Sequence, residues 1–225
     1  MQIYISWSKT LSKLVAEEME SLLVGFFEDR VKPFSSLTID SGADWFYKNQ
    51  NHLHSADLGL ILVSRRGLDS PWLLYEGGAL LNRLPEDYCQ IILLDVKATD
   101  LKDFPFYHLQ CTDFLSRRVD IFQWIASKLT GAGSNFLFPS QRDDVLNAAC
   151  TRISRLCRAE HAFISILETG EREASRKKAL IKNACAALVE SGLTDERVIE
   201  WLKKEEIPEA AYAPCLAELW RYTRR

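Results

Sequence analysis

The first 130 residues alternate short apolar runs with longer segments of helical period. Ile3 to Trp7 is an apolar run suited to a buried strand. Thr10 to Phe27 then carries Leu11, Leu14, Val15, Met19, Leu22 and Leu23 at helical spacing. Val31 to Phe34 reads as a second strand, Ser35 to Asp44 as a polar loop, and Trp45 to Ala56 as a helix. Leu58 to Val63, LGLILV, is apolar at every position and predicts a strand covered on both faces. SPWLLYEGGALL, residues 70–81, predicts a helix with Ser70 as N-cap and Pro71 at the first helical position. Ile91 to Val96 predicts a fourth strand, Tyr107 to Thr112 holds a fifth, and Asp120 to Leu129 closes as a helix.

Continuous apolar strands separated by helices argue for an α/β fold, a flavodoxin-like doubly wound parallel sheet of about five strands. Such sheets place their sites at the carboxyl ends of the strands. Ser6, Trp7, Ser8, Phe34, Ser35, Ser36 and Ser64 fall on that edge. Gly131 to Ser134 reads as a hinge, which gives domains 1–130 and 135–225. The second is a small all-α module. Val145, Ala149, Ile153 and Leu156 form one stripe, and Ile181, Ala184, Cys185 and Leu188 another. Asp195 to Lys204 is acidic at its start and basic at its end, as a helix dipole favours. Pro214 opens the last helix, through Leu216, Leu219 and Trp220. Phe136, Phe138, Phe163, Trp201, Tyr212 and Trp220 supply the module's own core or a docking face. Arg172, Arg176, Lys177 and Lys178 read as a solvated helix face, with an anionic ligand as the alternative.

The charge adds exclusions. With a net charge of −3, a mildly acidic first part and a nearly balanced second, the chain lacks the basic excess of nucleic-acid binding. It contains no apolar stretch of transmembrane length, so no membrane partner is expected. The start of the chain has no signal-peptide pattern, and the 6 cysteines include no C-x-x-C pair. Reduced thiols and a cytoplasmic location are the expectation. Cys150, Cys157 and His161 share a helix face, but structural zinc wants four ligands at tighter spacing, so no metal is expected.

Glu76 is the one carboxylate in the apolar stretch 70–81. It shares a helix face with Trp72 and lies within reach of Arg83, which makes ion pairing its simplest role. Gly77 and Gly78 each cost about 1 kcal/mol of helix stability relative to Ala, which points to close approach by a strand or a ligand. The ordered set IYISWS, VKPFSS, DSGADWF, LGLILVS and SPWLLYEGGAL resembles a bacterial TIR domain of the NAD-cleaving kind, over residues 1–130. W-x-x-x-E, Trp72 to Glu76, is its most specific piece.

The resemblance implies that Glu76 is the catalytic residue of an NAD+ glycohydrolase of bacterial immunity. That enzyme releases nicotinamide and ADP-ribose, or a cyclic ADP-ribose-type messenger. Trp7, Phe34, Trp45 and Trp72 are candidates to stack on nicotinamide or adenine, and Ser6, Ser8, Ser35 and Ser36 to bind ribose or phosphate. No G-x-G-x-x-G loop follows the first strand, so NAD+ is a substrate and no cofactor is expected. Residues 35–46 correspond to the BB loop of TIR domains, which implies self-association through that loop. An activating protein or ligand would act at the helical module. A non-catalytic TIR adaptor and a nucleoside deoxyribosyltransferase-like enzyme are the competing readings.

Overall fold

The structure is a computed structural model, and it describes residues 1–36, 44–107, 109–130, 143–169 and 173–223. The chain divides into two compact units, Met1–Asn147 and Ala148–Arg225. The expected hinge at 131–134 lies outside the described residues.

The first unit carries five parallel strands: β1 (Gln2–Ser6), β2 (Lys32–Phe34), β3 (Leu58–Val63), β4 (Cys89–Leu93) and β5 (Cys111–Asp113). They lie in the order β2-β1-β3-β4-β5, the doubly wound arrangement in which chain direction across the sheet reverses between β1 and β3. The connections are α1 (Lys9–Phe27), α2 (Trp45–Ser55), α3 (Pro71–Arg83) and, after β5, α4 (Phe114–Thr130). All six residues of β3 are buried, as its unbroken apolar run requires. α1 meets α4 through an edge-to-face pair, Phe26 and Phe122. α2 and α3 cover the face that carries Tyr4, Ile61 and Leu93.

Two of the differences from the expected bounds in this unit have a visible physical cause. β4 covers Cys89–Leu93, not Ile91–Val96. It pairs with β3 from Gly59↔Cys89 to Val63↔Leu93, so its length follows its neighbour's. α4 begins at Phe114, not Asp120, because Asp113 caps an extra first turn by accepting from the Ser116 backbone N–H at 2.8 Å. That turn joins the rest of the helix across non-helical backbone at Arg117.

The second group of helices is α5 (Asp143–Glu168), α6 (Ala174–Glu190), α7 (Asp195–Lys204) and α8 (Glu209–Thr223). The α6 stripe Ile181, Ala184, Cys185 and Leu188 is buried as expected. In α5, Ala149, Ile153 and Leu156 are buried, but Val145 is exposed and its neighbour Leu146 takes the core position. Phe163, Trp201 and Tyr212 are buried, with Phe163 and Trp201 rings 5.7 Å apart, while Phe136 and Phe138 lie outside the described residues. α8 starts at Glu209, so Pro214 sits inside it and not at its opening. Pro208 is the proline that precedes this helix. Pro214 has no N–H for the Ala210 carbonyl, so one turn of α8 lacks a rung. Arg176, Lys177 and Lys178 are exposed, and Arg176 pairs with Glu173 at 3.0 Å. Arg172 lies outside the described residues.

The two α3 glycines have different reasons. A Cβ on Gly77 would stand 2.6 Å from the Phe106 ring and 3.2 Å from Ile61 of β3, so this glycine lets the helix settle on the sheet. A Cβ on Gly78 would meet nothing within 4 Å. Gly78→Ala is therefore expected to stabilise the protein by about 1 kcal/mol through helix propensity. Gly77→Ala is expected to cost about 1–3 kcal/mol by overpacking. Urea unfolding of both variants checks this; equal effects at the two positions would contradict it.

Candidate active site

β1 alternates its side chains, so Tyr4 and Ser6 point to the same face of the sheet, toward α2 and α3. α3 enters after Ser70, whose hydroxyl accepts from the Leu73 N–H at 3.4 Å, with Pro71 in the first turn. Glu76 follows one turn later and drops its side chain onto β1.

The carboxylate is 1% exposed. Its Oε2 accepts from the Ser6 hydroxyl at 2.7 Å. Its Oε1 accepts from the Tyr4 hydroxyl at 2.5 Å and from the Asn49 side-chain amide of α2 at 2.9 Å. The Trp72 side chain also hydrogen-bonds to it. Glu76 is therefore not the ion-pair partner of Arg83, whose guanidinium reaches back to the Ala56 carbonyl. Burial pushes the Glu76 carboxyl above the ordinary carboxylate range, and the Tyr4, Ser6, Asn49 and Trp72 bonds pull it part of the way back. Burial first, and then the Glu76 charge, push the Tyr4 phenol well above its ordinary value.

An aromatic surface lies beside the carboxylate. The half-buried Trp72 ring stands 4.8 Å from Trp45, 5.4 Å from Tyr75 and 6.4 Å from Phe46, centroid to centroid. Phe46 and Tyr75 are partly open to solvent, each 44% exposed. Such rings are available to a flat heterocycle.

Ser6 and Trp72 thus bond to Glu76 and Trp45 packs on Trp72, while Phe34, Ser35 and Ser8 are engaged elsewhere. Phe34 is buried, stacked on His52 at 3.6 Å and tilted against Tyr4 at 5.5 Å, so both of its faces are in use. Ser35 is buried and bonds to Glu20 of α1. Ser8 is buried close to Gly67, where an added Cβ would come within 2.8 Å of its hydroxyl. Trp7 is half-buried and its indole N–H has no partner among the described residues. Ser36 is half-buried. Residues 37–43 of the expected BB loop lie outside the described residues.

Tyr4 and Asn49 escaped the sequence reading. Tyr4 passes for one more apolar strand residue, and Asn49 for a polar position on an exposed helix. The available signal is Tyr4 and Ser6, two hydroxyls on one face of a strand whose other face is Ile3 and Ile5.

A cleft of about 650 Å³ lies at the other end of the sheet, where Cys89 and Gln90 begin β4 and where Leu84 to Asp87 lead into it. It holds no buried carboxylate, and chemistry is expected at the strands' carboxyl ends. Among the described residues, no group of three His, Cys, Asp or Glu side chains could hold a metal ion, and no helix is long and apolar enough to cross a membrane. All 6 cysteines are free thiols, and burial raises Cys89 to about 12.

A raised carboxyl has a stability signature. An unfolded glutamate ionises at about 4.3, below the folded Glu76. Between those values the folded chain keeps a proton that the unfolded chain has lost, so stability falls as pH rises through that window. Glu76→Gln removes the titration. It is expected to be more stable than wild type at neutral pH, by roughly 1.4 kcal/mol for each pH unit of upward shift. The gap should close below the ordinary carboxylate range. Denaturant unfolding at acidic and neutral pH measures this, and a variant less stable at neutral pH would contradict it.

Comparison of the chain with protein-family models, with curated proteins and with solved structures gives no match.

Proposed function

We propose that this chain is an NAD+ glycohydrolase and that Glu76 acts on the ribose. The observation that carries the reading is a buried carboxylate at the β1/β3 reversal, wrapped by hydroxyl and amide donors and flanked by partly open aromatic rings. The resemblance of residues 1–130 to NAD-cleaving bacterial TIR domains supplies the substrate.

The chemistry suits a lone carboxylate. Nicotinamide departs from NAD+ as a neutral molecule, taking the C1′–N bond pair, so no strong acid is required. Positive charge then spreads over C1′ and the ring oxygen, as in glycoside cleavage. A carboxylate in a weakly polar setting stabilises that charge more than one in water. Water adds at C1′, its proton leaves, and ADP-ribose is the second product. Trp72, with Trp45, Phe46 and Tyr75 around it, is placed to hold a heterocycle, and Ser6 to orient Glu76. Adding a ribose hydroxyl instead of water would give the cyclic product.

A carboxylate 1% exposed is closed to substrate. Activation therefore involves opening the aromatic side of the site, and assembly through residues 35–46 or an activator at the helical module is the proposed trigger. The same closure favours a second reading, in which Glu76 only ties β1, α2 and α3 together in a non-catalytic adaptor.

Nicotinamide release by purified protein, at rising concentrations and beside Glu76→Gln, separates the two. The enzyme reading expects turnover per molecule to rise with concentration and the variant to lose at least about 100-fold, the scale of a lost electrostatic group. Equal rates in wild type and variant would remove Glu76 from catalysis.

A further inference from the structure

The Tyr4 hydroxyl carries one proton and faces two acceptors. Its oxygen stands 2.5 Å from Glu76 Oε1 and 2.8 Å from Asn49 Oδ1. The Asn49 amide nitrogen meets the same Oε1 at 2.9 Å, which closes a ring of three hydrogen-bonding side chains. A second hydroxyl, that of Ser6, donates to the other carboxylate oxygen, Oε2, at 2.7 Å.

The ring has two complete proton arrangements. With Glu76 ionised, Tyr4 and the Asn49 amide both donate to Oε1. With a proton on Oε1, that proton is given to the Tyr4 oxygen, and the Tyr4 proton turns to Asn49 Oδ1. Neither arrangement requires a heavy atom to move.

We infer that Tyr4 is a positioning residue for Glu76: its hydroxyl holds the buried carboxylate charged, and turns to Asn49 when Glu76 takes up a proton. The functional consequence rests on the proposed cleavage of NAD+. There, the water that adds to C1′ gives up a proton, and Glu76 is the acceptor the ring prepares. The surroundings leave this work to Tyr4. β1 contributes Tyr4 and Ser6, α3 contributes Trp72, and β3 contributes only apolar side chains and a glycine. α2 contributes Asn49 and, near it, His52, whose Nδ1 is bonded to Gln2 at 2.8 Å. Among the described residues no cation forms an ion pair with Glu76. Burial raises this carboxyl, and Tyr4 comes first among the groups that oppose the rise.

Tyr4→Phe keeps the ring that packs against Phe34 and removes the hydroxyl. The readout is the carbon-13 NMR titration of the Glu76 side-chain carboxyl, assigned by its absence in Glu76→Gln; it requires no turnover. Tyr4→Phe is expected to raise the midpoint by about one pH unit, tenfold in the ionisation constant. Ring-fluorinated tyrosine at position 4, a stronger donor that preserves packing, is expected to lower it, and it serves if Tyr4→Phe does not fold. An unchanged or oppositely moved midpoint overturns the inference. In NAD+ cleavage the acid limb should move with the midpoint and the Tyr4→Phe rate should recover toward alkaline pH. A loss equal at every pH marks a merely structural tyrosine and also overturns it. A moved midpoint in a protein that leaves NAD+ intact upholds the role of Tyr4 and sinks the NAD+ reading. NAD+ cleavage with an unmoved midpoint does the reverse.

Discussion

The α/β unit is organised around one buried carboxylate. Glu76 of α3 is met by Tyr4 and Ser6 of β1 and by Asn49 of α2, partners 72, 70 and 27 residues away in the chain. Removing such a group from water is costly, and each donor offsets part of that cost. The structure satisfies its acceptors from two other elements, so the position of α3, the tilt of α2 and the end of β1 depend on one another. Gly77 belongs to the same arrangement: without a side chain there, α3 comes down onto Ile61 and Phe106 with the carboxylate over β1.

A structural glutamate would serve the fold less well than an apolar residue of its shape, because buried charge is weak evidence for stability. The site has the pattern of a group retained against stability: net upward displacement by burial, donors converging on both oxygens, and open aromatic rings on one side. The reversal of chain direction between β1 and β3 is where doubly wound sheets leave room for ligands, and Glu76 sits over that point.

The sheet was legible because strands buried on both faces must be apolar at every position, and LGLILV is. Strand ends were less legible: the apolar run at Ile91 continues to Val96, but the ladder stops where β3 stops. The opening of α8 was misplaced because Pro208 and Pro214 carry the same local signal, and only tertiary packing decides which begins the helix. In the site, Glu76 stood out as a carboxylate in an apolar helix, and Trp72 and Trp45 as aromatic neighbours. Phe34, Ser35 and Ser8 were expected there because they share the strand edge. Side-chain direction, which the edge alone does not specify, turned them to His52, Glu20 and Gly67. Tyr4 and Asn49 acquire meaning only through contacts distant in sequence.

The central claim is the proposal that Glu76 cleaves the nicotinamide–ribose bond of NAD+. One measurement addresses it most directly: concentrated protein is incubated with NAD+ and a deoxynucleoside together, and the products are followed by proton NMR. The account predicts free nicotinamide with ADP-ribose or its cyclic form, and an untouched deoxynucleoside. An intact NAD+ beside a cleaved or base-exchanged deoxynucleoside would contradict it.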